Sequence, residues 1–212
     1  MSLSQCAESR GVYGLPWLTG LLVLTAVGLS LAFGPAPPAL VFDRAAIAQG
    51  EWWRLVTGHL LHSDGEHALW DITALALIGW VMERHGRWPM ILAAAAGMAA
   101  VDAGLWWWLP GLERYCGLSG MLNTLFIIAL ANLWEEHRHP VIPLVVLGLA
   151  AKLAIEITVR QSLFVHTPWS SVPEAHVAGC IGAIIFLGVE RLFLRPRNIG
   201  GHEAQTTQPA NY

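Results

Sequence analysis

The chain has 212 residues, 55% hydrophobic and 13% charged, with a formal net charge of −3 and a mean hydropathy of +0.50. That charge is about half the ~25% usual for soluble domains, and several apolar runs reach roughly 17 to 22 residues, so the composition is that of a polytopic membrane protein. No basic cluster offers a footprint for nucleic acid, and the three cysteines, Cys6, Cys116 and Cys180, make no disulfide framework.

Residues 1–13 are a short polar start, and Gly14 to Phe33 is the first apolar run. A signal peptide is the rival reading, but this run is longer than an h-region and only Arg10 precedes it. Pro35, Pro37 and Pro38 stop the helix. Residues 34–66 form a long first loop, in which Trp52, Trp53, Leu55, Val56, Leu60 and Leu61 stand among charges, as in segments that lie in the membrane interface. The second span is His67 to Met82, followed by the charged turn Glu83-Arg84-His85-Gly86-Arg87. The third runs from Trp88 to Leu109 and breaks at Pro110-Gly111. The fourth is Gly117 to Trp134, closed by Glu135-Glu136-His137-Arg138-His139-Pro140. The fifth is Val141 to Thr158; a loop with Pro168 and Pro173 leads to the sixth, Ala175 to Leu194, and 195–212 is a polar tail. No internal repeat of the transporter kind is present.

The expected architecture is therefore all-α, with six membrane helices over residues 14–194. Six spans put both termini on one side, with Arg84, Arg87, Arg138 and Arg191 beside the terminal Arg10, Arg195 and Arg197. Arg44, Arg54, Arg114 and Arg160 fall opposite. The excess marks the terminal side as cytoplasmic. Ser119 and His176 then both open helices at the outer face, at equal depth.

In Tyr115-Cys116-Gly117-Leu118-Ser119-Gly120, a serine sits between glycines where a loop enters an apolar run. Free N–H groups at a helix start, reinforced by the dipole, suit a developing negative charge. A serine needs a base to become a nucleophile, and His176 is the best placed. Gly179 and Gly182 leave a smooth face for a close helix neighbour. The plainer readings are an N-cap or packing serine and an idle interfacial histidine. Equal depth favours a dyad. No third acid to orient His176 is evident. Tyr115 is a candidate to stack on that histidine.

His59, His62, His67 and Asp71 form a second group, with His67 and Asp71 four apart on one helix face. A side chain there can help Gly117, Leu118 and Ser119 hold an oxyanion. The rivals are structural hydrogen bonding and zinc; the spacing matches no familiar zinc motif, and no metal or cofactor is expected. Arg54, after Trp53, has Glu51 or loop carbonyls as partners, and a snorkelling arginine is the alternative. Lys152 and Glu156, four apart, pair within the membrane. Asp102 needs a partner that the sequence does not name. Cys116 and Cys180 read as small apolar fillers.

These residues resemble the rhomboid intramembrane serine protease family over about residues 50–194. Gly117-Leu118-Ser119-Gly120 looks like its nucleophile motif, Ala175-His176-Val177-Ala178-Gly179 like its histidine motif, and Trp53-Arg54 like its loop motif. His62, His67 and Asp71 fall at the spacing of its second-helix motif, histidine, histidine, asparagine. The small size and the Tyr115-to-Leu122 segment look like the rhombosortase subfamily. That resemblance implies cleavage of exported, membrane-anchored proteins bearing a C-terminal Gly-Gly motif, a membrane helix and a basic end. It also implies a bacterial inner membrane, with the site open to the periplasmic side.

The departure is Asp71 in place of the asparagine. A carboxylate beside an oxyanion opposes the transition state, so Asp71 is expected to stay neutral or to orient His67, and Asp71→Asn to keep substantial activity. The resemblance implies acyl transfer, with Ser119 attacking and His176 moving the proton. Two other classes remain: a catalytically inactive rhomboid-like protein that binds membrane helices, and a small transporter using His59, His62, His67, Asp102 and Lys152.

Overall fold

The computed structural model describes residues 15–163, 169 and 171–194. The polar start, the 195–212 tail, Pro168, Cys6, Arg10, Arg195 and Arg197 lie outside the described residues. Within them the chain is helical, in the order α1 (Trp17–Phe33), β1 (Phe42–Asp43), α2 (Arg44–Ala48), α3 (Arg54–Thr57), a 3-10 turn (Gly58–Leu60), α4 (Gly65–His85), α5 (Arg87–Trp108), β2 (Arg114–Tyr115), α6 (Ser119–His137), α7 (Val141–Val159) and α8 (Pro173–Val189), which runs into a π turn, Glu190–Leu194.

Of the six long helices, α5, α7 and α8 (with its first π-turn residues) are long and apolar enough by themselves to cross a membrane. Helix α1 is apolar but 17 residues long. Helices α4 and α6 carry the polar groups described below, which lowers their mean hydropathy. Large side chains such as Leu31, Leu69, Trp88, Trp107 and Leu144 stand exposed around the bundle. An apolar surface of this extent suits lipid rather than water.

Several expected boundaries move. Hydropathy ends the second span at Met82, but α4 continues through Glu83, Arg84 and His85, because backbone hydrogen bonding does not stop where the side chains turn polar. The expected charged turn is a break at Gly86 alone, whose φ of 133° suits glycine. Likewise Glu135, Glu136 and His137 belong to α6, which ends at left-handed Arg138. Helix α4 starts at Gly65, capped by Asp64 Oδ1 accepting from His67 N at 2.9 Å. Glu83 accepts from the N–H groups of Leu18 (3.1 Å) and Thr19 (2.8 Å), answering the open donors at the start of α1.

Helices α5, α6 and α8 form the tight centre, α1 packs on α4, and α7 leans on α6 and α8 from outside. A Cβ on Gly179 would lie 1.9 Å from the carbonyl oxygen of Gly120, so α6 and α8 touch backbone to backbone. Thr124 Oγ1 donates to Gly179 O at 2.7 Å across the same crossing. Buried Leu75, Met82, Met90, Leu118 and Leu125 belong to the larger apolar core of the bundle.

The first loop is folded. Its strand β1 pairs antiparallel with β2, Phe42 opposite Tyr115 and Asp43 opposite Arg114. Gly117 N donates to Gly58 O at 3.1 Å, extending the link towards α6. Arg44 threads its guanidinium to the carbonyls of Leu105, Trp106, Leu109 and Leu112, capping the end of α5. Asp43 Oδ1 accepts from Ala46 N, and this bond, with Arg114 alongside, holds its carboxyl below the usual carboxylate range.

Candidate active site

The site grows from the start of α6. β-pairing and the Gly117–Gly58 bond fix the approach of the chain. Tyr115 Oη donates to Gly117 O at 3.2 Å. Gly117 has φ 137°, and a Cβ there would meet the His67 ring at 2.9 Å, so only glycine lets the chain turn under that ring. Ser119 follows as the first residue of α6. On the other side, Pro173 opens α8 at a position that lacks a partner for an N–H anyway, and His176 comes within its first turn. The Gly120–Gly179 contact draws the two helix starts together. Ser119 Oγ then lies 2.9 Å from His176 Nε2, hydrogen-bond distance for a proton transfer.

His176 Nδ1 faces a carboxylate that sequence reasoning had assigned elsewhere. Glu156 Oε2 lies 3.0 Å away, and the same oxygen accepts from Lys152 Nζ at 2.7 Å. The pairing with Lys152 is present as read from the sequence; the statement that no acid reaches His176 is corrected. An i, i+4 spacing names a partner on the same helix and says nothing of the neighbouring one. The available signal was a carboxylate in an otherwise apolar run.

Asp71 sits beneath Ser119. Its Oδ2 accepts from Leu118 N at 2.9 Å and Ser119 N at 3.0 Å, with His67 Nε2 at 3.3 Å and His62 Nε2 at 3.6 Å. The sequence reading left those two N–H groups open for a substrate oxyanion; here the Asp71 carboxyl holds them. Of the two expected roles, a neutral acid or a partner that orients His67, the contact with His67 is present, at 3.3 Å. His67 Nδ1 meets Ser63 Oγ at 3.1 Å, which fixes the ring.

The other candidates are placed as follows. Buried Arg54 bonds Glu51 Oε2 (2.7 Å), Pro38 O (2.7 Å) and Val41 O (2.9 Å), bracing the first loop, while Trp53 is half exposed and donates to Ala39 O. Asp102 finds His59, Oδ1 to Nε2 at 3.2 Å. Tyr115 meets the His59 ring edge-on, not His176, since Tyr115 is held on the first-loop side by β-pairing. Cys116 and Cys180 are buried free thiols. Among the described residues no group of three or more His, Cys, Asp or Glu could hold a metal ion.

Ser119, His176, His67 and Asp71 border one cavity of about 530 Å³, walled by Trp70 and Ile78 of α4 and Leu149 of α7. A half-buried serine hydroxyl on an imidazole, beside backbone donors and in an apolar cleft of this size, has the parts of an acyl-transfer site.

Sequence comparison gives the class: the rhomboid domain family model matches residues 49–191, well over half of the chain. The chain belongs to the rhomboid family. It is similar to "Rhomboid protease GluP" of Bacillus subtilis (strain 168), 32% identical over 93 residues, 42% of this chain and 18% of that protein. It is also similar to "Putative rhomboid protease YdcA" of the same organism, 29% identical over 144 residues, 61% of this chain and 72% of that protein. The chain thus spans under a fifth of the length of GluP and nearly three quarters of YdcA. Family and apolar helices together make it an integral membrane protein.

Proposed function

We propose that this chain is an intramembrane serine endopeptidase of the rhomboid type, cleaving membrane-anchored proteins through an acyl-enzyme on Ser119. The observation that carries this reading is the 2.9 Å contact between Ser119 Oγ and His176 Nε2 at the rim of the cavity. His176 takes the hydroxyl proton as Oγ attacks a peptide carbonyl, then returns it to the leaving amine; water frees the acyl group. The N–H groups of Leu118 and Ser119, with His67, receive the oxyanion once Asp71 gives them up. The six long helices span the bilayer of a bacterial inner membrane, both termini in the cytoplasm, and the site opens towards the periplasm. Seven arginines on the terminal side against four on the other in the sequence (Arg10, Arg84, Arg87, Arg138, Arg191, Arg195 and Arg197 against Arg44, Arg54, Arg114 and Arg160) support this orientation.

The substrates are exported proteins with a C-terminal Gly-Gly motif, a membrane helix and a basic end. Glycine frays a helix into the extended backbone that a protease needs, and it brings little bulk to a narrow cleft. Co-expression with such a protein, followed by mass analysis, should show a shortened product in the wild type. Ser119→Ala and His176→Ala should each leave it uncut, a loss of about 10³-fold or more. Wild-type cleavage by either variant would reject the reading. Asp71→Asn, in the same assay, should keep substantial activity.

A second reading has one observation in its favour. The Asp71 carboxyl already holds the two oxyanion donors, which suits a catalytically inactive protein that binds membrane helices. Labelling by a fluorophosphonate probe, blocked in Ser119→Ala, supports the protease; no labelling supports the binder.

A further inference from the structure

We propose that Glu156 is a positioning residue for His176, so that the site works as a Ser119–His176–Glu156 relay supplied by three separate helices. The inference rests on the protease reading above and adds a member to it.

The geometry runs through atoms on both sides of the imidazole. Nε2 faces Ser119 Oγ at 2.9 Å and Nδ1 faces Glu156 Oε2 at 3.0 Å. An ionised carboxylate only accepts hydrogen bonds, so the Nδ1 position must carry the proton. In the neutral ring this leaves the lone pair on Nε2, aimed at the serine hydroxyl. The tautomer that a general base needs is thus set from the far side of the ring. When Ser119 Oγ bonds to the acyl carbon, its proton passes to Nε2, and Glu156 faces the resulting imidazolium. The C–N bond then breaks as Nε2 gives that proton to the leaving nitrogen. Glu156 itself takes no proton at any step.

The carboxylate is built into place. Glu156 is fully buried, and both oxygens are used. Oε2 is shared between His176 and Lys152, and Oε1 accepts from Leu163 N at 3.0 Å with Ser162 Oγ at 3.5 Å. Glu156 is also the buried residue of α7, whose other side chains are partly or fully exposed. A lone buried carboxylate on a loosely packed helix is costly unless it is paired, and a pair with Lys152 alone would not require it to face α8. Because α7 carries Glu156 and α8 carries His176, the base is oriented only while α7 is docked. Any displacement of α7 that widens the cavity also releases His176.

The test uses the full chain in detergent, with Glu156→Gln, Glu156→Asp and Ser119→Ala beside the wild type. The readouts are the rate of fluorophosphonate labelling of Ser119, thermal unfolding, and the proton resonance of histidine Nδ1 in protein labelled with ¹⁵N-histidine. Glu156→Gln keeps the shape of the side chain but can present an amide donor to Nδ1. It should slow labelling by about 100-fold or more and abolish the downfield hydrogen-bonded Nδ1 resonance. Glu156→Asp should recover part of both, and unfolding should move little in either variant. Labelling of Glu156→Gln at the wild-type rate, with Ser119→Ala unlabelled, overturns the relay and leaves the protease reading standing. Equal loss in both variants together with a large drop in unfolding temperature makes Glu156 structural and overturns it too. A wild type that takes no label fails the protease reading, and the relay with it.

Discussion

Single residues around Ser119 differ in what burial does to them. Cys116 is three positions from the serine, and burial, aided by the negative charges of Asp71 and Asp64, pushes its thiol up to about 12. A thiol so held is no nucleophile at neutral pH. The raised value also has a sign for stability. An ordinary thiol in the unfolded chain loses its proton near pH 9, while the folded one keeps it, so the folded state binds more protons between pH 9 and 12. Stability from this group is complete below pH 9 and declines above it. We expect the wild type to lose more stability than Cys116→Ala on going from pH 8 to pH 11, by thermal unfolding in detergent, while Cys116→Ala keeps its labelling by a serine probe. Equal alkaline slopes would count against the burial account. The residue scale is also where sequence reading fared best. A serine between glycines, a histidine opening an apolar run and a Lys–Glu pair were each visible at their own positions. The partners of Asp102 and His176 were not. His59 is 43 positions from the first and Glu156 is 20 from the second. Which side of a helix faces which neighbour depends on the packing of the whole bundle.

Among the elements, α5 shows how the first loop stabilises the bundle. Its last carbonyls end in a region with no further helical partner, and Arg44 supplies three nitrogens to the carbonyls of Leu105 and Trp106 in the helix and of Leu109 and Leu112 just after it, while its guanidinium lies 4.6 Å from the Trp106 ring centre. Charged donors at a helix C-terminus are favourable both as hydrogen bonds and against the dipole. We expect Arg44→Met to destabilise the protein by about 2 kcal/mol, measured by denaturant unfolding in mixed micelles. A change below about 0.5 kcal/mol would mean that the carbonyls are as well served by water. The helices themselves were legible to within a few residues, most plainly α5, α7 and α8, which are long and apolar enough to cross a membrane. Their ends were not. Hydropathy falls at Met82 and Trp134, whereas α4 and α6 end only where glycine or a left-handed residue breaks the hydrogen bonding. The internal structure of the first loop escaped for a related reason: two-residue strands and helices of four or five residues carry no period to detect.

At the scale of the molecule, the Ser119–His176 contact depends on how closely α6 and α8 cross. The close face was legible from Gly179 and Gly182; that Gly120, beside Ser119, is its counterpart was not, since one stripe of small residues does not name the other. A methyl group on Gly179 would collide with the Gly120 carbonyl, and backbone cannot swing aside as a side chain can. Gly179→Ala should therefore part the helices, lengthen the Ser119–His176 contact and cost about 2 kcal/mol or more. Serine-probe labelling should fall together with the unfolding temperature. Labelling that survives intact would show that the crossing can shift without disturbing the site.

The strand pairing of Phe42–Asp43 with Arg114–Tyr115, continued by Gly58 to Gly117, stitches the first loop to the peptide just ahead of Ser119. That seam is a handle. An antibody fragment or cyclic peptide that pried up residues 42–58 would tug on Gly117 and misalign the hydroxyl two positions later. A change in the first loop would thus be felt at Ser119 with nothing bound in the cavity itself.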